Sequence, residues 1–218
     1  MKITISDEIK KLCPDAALGI LRYEANVAPA SSELLEVFEE TVTELSDNLT
    51  TEMIAGLPHI ASTRLAYKAL GKSPQEYRNA SEAMLRRIAK GHGLYHINNV
   101  VDSNNLISIS SGYSIGSYDV SRLEGDISLR RAAEGAHYAG IGKASVNIGH
   151  LPTLYDSQGA FGNPTSDSRR AMVEPGAHEI VSVLYSFDGI EELAPWMAKF
   201  TQYLGRYCGV TTVQTMVV

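Results

Sequence analysis

The period of the hydrophobic pattern changes once along this chain, and that change constrains the fold more than any other feature. Up to about residue 93 the apolar residues step at the helical period; beyond about residue 105 they alternate, as in strands. Leu34, Phe38, Val42, Leu45 and Leu49 share one helix face, opened by Ser31 or Ser32 as N-cap, with Glu33, Glu36, Glu39, Glu40 and Glu44 mostly opposite. Residues 60–70 predict a second helix, ended by Gly71, with Ile60, Leu65, Ala66 and Leu70 inward and Arg64 and Lys68 outward. Asn79 or Ser81 opens a third, in which Ala80, Met84 and Ile88 step by four and Gly91 follows. Alternating runs at 106–110, 127–131, 137–141, 151–156 and 180–187 then predict short strands between Gly-rich turns. Outside this division lie a short helix at 7–13 stopped by Pro14, a strand at 16–27, a last helix near 191–206 and a β-branched terminal strand at 209–218. The order predicts an α+β (mixed α/β) fold in one domain, 1–218, with 1–93 mostly helical and 94–218 β-rich.

The 218 residues suffice for a sizeable core, and no apolar run approaches the ~20 residues that span a bilayer. Residues 1–8 lack the apolar stretch of a signal peptide. Cys13 and Cys208 make no disulfide framework, which favours a reducing cytoplasm. The net charge of −6 argues against nucleic acid as a general partner. It is unevenly spread, however: residues 1–50 carry −6, residues 51–90 carry +4 and the remainder −4. The basic segment, with Arg64, Lys68, Arg86, Arg87 and Lys90, is the one candidate for a phosphate backbone. Helix-dipole complementation accounts equally for two of the last three.

Residues 94–119 gather Asn98, Asn99, Asp102, Ser103 and Asn104 beside Val100 and Val101. Such side chains compete for backbone hydrogen bonds, so the stretch reads as a loop or helix end held against a core. Gly112-Tyr-Ser114-Ile-Gly116 matches the G-x-S-x-G nucleophile elbow, with Asp156 or Asp167 and His178 in the required downstream order. The residues after it make a poor helix, so a turn is the better reading. Gly140-Ile-Gly142-Lys143 fits neither a dinucleotide fingerprint nor a P-loop. His92 and His96 are separated by Gly93, and no other spacing suggests a metal or cofactor. A second polar cluster, 162–170, holds Asp167, Ser168 and Arg169. Facing the first cluster, it would close a pocket offering amide, hydroxyl and carboxylate groups to an amino acid.

Several motifs carry a family resemblance. They are Asn98-Asn-Val-Val-Asp102-Ser103-Asn104, Gly112 through Tyr118-Asp119, Gly125-Asp-Ile-Ser-Leu-Arg130, and residues 151–156 and 162–168. Together they resemble the B3/B4 editing domain of the phenylalanyl-tRNA synthetase β subunit. Ala17-Leu-Gly-Ile and Thr63-Arg64-Leu-Ala-Tyr67-Lys68 resemble its free-standing relatives, so the likeness covers nearly the whole chain. It implies hydrolysis of wrongly attached aminoacyl groups, a step needed where binding alone discriminates too weakly. By motif, Ser103 and Asn104 would line the pocket with Tyr118 and Asp119. Asp167 is nearest to the acidic residue that reads a tyrosine hydroxyl, and the family histidine falls on Gly116.

Three readings follow. The first is a hydrolase of mischarged aminoacyl-tRNA. Its pocket would use Asn99, Asp102, Ser103, Asn104, Tyr118, Asp119, Asp167 and Ser168, with Arg130 or Arg169 near a carboxylate or phosphate. Asn104, Asp119 and Asp167 are its catalytic candidates, and the basic helices would meet the tRNA. The second is a non-catalytic amino-acid or tRNA-binding module. The third is a serine hydrolase using Ser114. Oligomeric state is open in all three.

Overall fold

A computed structural model describes the whole chain, Met1–Val218. Up to residue 111 it contains β1 (Ile3–Ile5), α1 (Asp7–Leu12), β2 (Ala17–Val27), α2 (Ser32–Asn48), α3 (Thr51–Ile54), α4 (Pro58–Ala69), α5 (Ala80–Ile88) and, beyond residue 93, α6 (Asn99–Ser111). There follow β3 (Ser114–Asp119), β4 (Ile127–Arg131), β5 (His137–Gly140), β6 (Lys143–Asn147), β7 (Pro152–Asp156) and β8 (Gly159–Gly162). The chain closes with β9 (Gly176–Ser186), α7 (Leu193–Cys208) and β10 (Val213–Val217). No helix is long and apolar enough to cross a membrane.

Three layers result. The central sheet, ordered β10-β2-β9-β3, is antiparallel throughout, and β2 pairs with β9 along its full length from Ala17↔Ser186 to Val27↔Gly176. Strands alternate faces, and the two faces of this sheet carry separate cores. Leu21, Tyr23, Ile180 and Leu184 pack with residues of α2, α5, α6 and α7. Leu18, Ile20, Val181, Val183 and Tyr185 pack with Ile3, Ile127, Leu129, Leu154 and Phe161 of a second sheet, ordered β1-β4-β7-β8. A β5–β6 hairpin stands apart.

The fold class is as expected, with residues 1–93 mostly helical and 94–218 richer in strand, but the two parts interleave in space. β2 lies in the middle of the central sheet, while α6 and α7 come from the second half. The run 106–110 is helix, not strand. Leu106, Ile107, Ser108 and Ile109 are all buried, so α6 is enclosed nearly all round and shows no amphipathic stripe. Its serines bond locally: Ser110 Oγ donates to Leu106 O at 2.8 Å and Ser108 Oγ to Tyr113 O at 2.6 Å. Asn98 caps α6, its side chain accepting from Val101 N, and Gly112 ends it in the left-handed region at φ 87°. Leu65 is exposed rather than inward, and β1, β3, β6 and β8 are additions to the sequence reading.

Candidate functional site

α6 presents its polar side chains to the helix-covered face of the central sheet. Asn104 Nδ2 donates to Ile115 O at 3.3 Å, and its Oδ1 accepts from Ser117 Oγ at 3.1 Å. From there a hydroxyl chain runs across the sheet, Ser117 Oγ to Ser182 Oγ at 2.7 Å and Ser182 Oγ to Tyr23 Oη at 2.9 Å. Asp102 is fully buried. Its Oδ1 accepts from Ile97 N at 2.9 Å, its Oδ2 makes no hydrogen bond, and His96 Nδ1 lies 3.4 Å away. Burial pushes this carboxyl up from its ordinary range.

Beside this layer an open groove of about 620 Å³ runs between β2, β9 and the C-terminal end of α7. Glu24, Asn26, His178, Glu179, Cys208 and Gly209 line it. Three of these wall residues are each backed by a residue of the sequence-derived set. Asn99 Nδ2 donates to Asn26 O at 3.1 Å, and Asn99 Oδ1 accepts from Ala28 N at 3.0 Å. Ser103 Oγ lies 3.7 Å from Cys208 Sγ. Asp119 Oδ2 lies 2.9 Å from His178 Nδ1, while its Oδ1 accepts from Ser121 N and Oγ at 2.9 and 2.7 Å. Burial holds the Cys208 thiol up at about 11, so it is no ready nucleophile. A smaller groove, about 240 Å³, shares Glu24 and Glu179 and continues past Arg22 to Thr211, Thr212 and Gln214. Arg22 Nε and Glu179 Oε1 pair at 2.7 Å where the two meet.

The second polar cluster lies across the sheet and does not close this groove. Tyr118 points between the two sheets, where its Oη donates to Asp167 Oδ1 at 2.7 Å and lies 2.9 Å from Tyr185 Oη. Desolvation pushes the Asp167 carboxyl up to about 7, and no cation pairs with it. Ser168 accepts from Arg170 N, Arg169 is exposed, and Arg130 lies over the Tyr155 ring at 5.5 Å. The expected single pocket built from both clusters is therefore corrected: period-two alternation puts Ser117 and Tyr118 on opposite faces.

Gly116 also faces the inter-sheet side. A Cβ there would lie 2.0 Å from Tyr118 Oη, and a Cβ at Gly162 would lie 2.1 Å from the same atom. The hydroxyl thus sits between two bare backbones, and no histidine fits at 116. The β3 position that meets Asn104 is Ser117. The elbow reading is overturned as well. Helix α6 precedes Ser114 and a strand follows it, the reverse of the elbow. Ser114 itself is buried, its Oγ accepting from Ser81 N at 3.4 Å.

Two of the five basic candidates turn inward. Arg64 Nη1 and Arg86 Nε reach Glu82 Oε1 at 2.9 and 2.8 Å, and Glu82 is fully buried. Arg87 donates from Nε to Gly93 O and lies over the Tyr95 ring, while Lys68 and Lys90 are exposed. No group of three or more His, Cys, Asp or Glu side chains is arranged to hold a metal ion.

The sequence reading missed the wall itself. In the sequence Asn26 falls within a predicted strand, Cys208 has no partner at a recognisable spacing, and His178 stands out only as a triad partner for Ser114. Their convergence needs the β2–β9 pairing, which local patterns do not encode.

The B3/4 domain family profile matches residues 62–194, well over half of the chain. The chain belongs to the B3/4 domain family. Among solved structures, this B3/4 domain is similar to an N-terminal fragment of the phenylalanyl-tRNA synthetase β-subunit from Pyrococcus horikoshii, with a TM-score of 0.51 and 12% identity. The match covers 100% of this chain and 54% of that one, so the B3/4 domain spans about half of the fragment. At that identity the likeness concerns the fold. No curated protein matches the chain significantly.

Proposed function

We propose that this B3/4 domain hydrolyses the ester linking a wrong amino acid to tRNA, with the aminoacyl group seated in the 620 Å³ groove. The observation that carries the reading is the groove's chemistry. A histidine–carboxylate pair, His178 with Asp119, stands in its wall beside Cys208, and the neighbouring Asn26 carbonyl is held in place by Asn99, while the β2–β9 register puts Glu24 and Glu179 on the opposite face. Membership of the B3/4 family and a fold shared with a tRNA synthetase β-subunit fragment support tRNA as the carrier. On this reading Asn99, Ser103, Asn104 and Asp119 act from behind the wall by fixing the groups that touch substrate, and Asp102 anchors the start of α6. Lys68, Arg87 and Lys90 are the cations left for phosphates. Tyr118, Asp167, Ser168, Arg130 and Arg169 lie outside the aminoacyl site.

The test is deacylation of a panel of misacylated tRNAs. Cleavage of at least one, lost in Asn104→Ala and kept in Ser114→Ala, supports the reading. A second reading, a binding module without catalysis, is favoured by the absence of any histidine that could fit at 116. Saturable binding of aminoacyl-tRNA with no cleavage across the panel would select it.

A further inference from the structure

We infer that two copies of this chain pair through β10, joining their central sheets across a two-fold axis. β10 is an edge strand, bonded to β2 on one side only. Leu18 and Val218 exchange both backbone bonds, at 2.9 and 3.0 Å. Antiparallel partners alternate between bonded and non-bonded pairs. In this register Met216↔Ile20 and Gln214↔Arg22 are therefore bonded too. The N–H and C=O groups of Val213, Thr215 and Val217 point away from β2, and nothing else in the chain bonds them. Natural proteins blunt such an edge with charge, proline or a bulge. Residues 209–218 hold no charged residue and no proline, and the β10–β2 register runs without a bulge.

The occupant that fits this edge is a second copy of the chain. Antiparallel pairing about an axis at Thr215 sets that residue opposite itself and Val213 opposite Val217, so every outward donor meets an outward acceptor. Each chain carries a net charge of −6, and this edge lets two of them meet where neither brings a charge. There is room on both sides of the strand. On the helix side a groove of about 490 Å³ lies between β10 and Ala194, Met197, Ala198 and Thr201 of α7. On the other side a groove of about 320 Å³ is bounded by Ile3, Ile20 and Val181. Val213, Thr215 and Val217 lie opposite Tyr23, Leu21 and Gly19, on the α7 side. The second strand turns the same three residues to the first groove and Gln214 and Met216 to the second. α7 presses on β2 at Gly19, where a Cβ would lie 2.9 Å from Met197 Sδ. With strands ~4.8 Å apart, the two β2 strands stand about 14 Å from each other. Each α7 packs over β2 and β10, which leaves on the order of 10 Å between the helices, a distance that small side chains allow. Ala194 and Ala198, both exposed, and Thr201 are the residues that line this gap.

The test is the mass of the unaltered chain by light scattering and sedimentation across a wide concentration range, beside Thr215→Pro and Thr215→Lys. Thr215 is exposed, and its N–H faces away from β2, so neither change breaks the β10–β2 ladder. We expect the unaltered chain to reach twice the mass of one copy. Both variants should weaken the dimer at least about tenfold, the lysine by setting like charges opposite each other at the axis. Amide exchange gives a residue-level readout: Thr215 and Val217 should be protected at high concentration and lose that protection on dilution. Gln214 and Met216, bonded to β2, should stay protected throughout. Thermal melting checks folding, and Thr215→Lys decides if Thr215→Pro does not fold. A chain that stays monomeric at every concentration overturns the inference. So does a dimer that survives unchanged in a folded Thr215→Lys, because its interface then lies elsewhere.

Discussion

Asp167 sets the clearest pH dependence in the molecule. Its carboxyl is pushed up to about 7 in the folded chain, against a range near 4 when unfolded. A raised acid favours the folded state while it is protonated. Its contribution is therefore complete below about pH 4 and is lost as pH rises from there to about 7. Asp167→Asn, which stays neutral and can still accept from Tyr118, should melt higher than the unaltered chain at pH 8. The gain should be on the order of 2–4 kcal/mol at most and should vanish by about pH 4. Equal differences at both pH values in melting curves would refute it. Gly116 makes the second prediction at this scale. Gly116→Ala drives a methyl into the Tyr118 hydroxyl and should cost about 1–3 kcal/mol or more, read as a lower urea midpoint.

At the scale of elements, α5 is tied to its neighbours by one carboxylate. Glu82 is fully buried, donates its backbone N–H to the capping Asn79 Oδ1, and takes Arg64 and Arg86 at under 3 Å with Arg78 at 3.9 Å. Glu82→Gln leaves these guanidinium groups without their charge and should cost about 3–5 kcal/mol in chemical denaturation. A loss below 1 kcal/mol would show that the arginines repair themselves with water. Elements also show what could be read in advance. α2, α5 and α7 are amphipathic, with Ser31 and Asn79 capping α2 and α5 and Gly209 ending α7, and these patterns are legible. α6 was not, because burial on nearly every side erases the stripe and its serines mimic alternation. The same burial explains the site. Asn99, Ser103 and Asn104 could be picked out as odd polar residues in an apolar stretch, but Asn26, His178 and Cys208 come from three distant elements that only the sheet brings together.

For the whole molecule, charge decides how a tRNA could approach. The net −6 repels a polyanion, so contact depends on the few exposed cations of the 51–90 segment. Binding of tRNA should weaken with added salt, and the triple change of Lys68, Arg87 and Lys90 to Ala should flatten the log–log slope by about one to three units. An unchanged slope would move the tRNA face elsewhere. One further property of the whole comes from Tyr118. Its hydroxyl rests against Gly116 of the central sheet and Gly162 of the second sheet, so a single ring gauges the gap between two layers. A chain with a histidine at 116 would have to give up that ring, and with it the alignment of the layers. Positions 116, 118 and 162 are thus sterically coupled, and none can be enlarged without changing another.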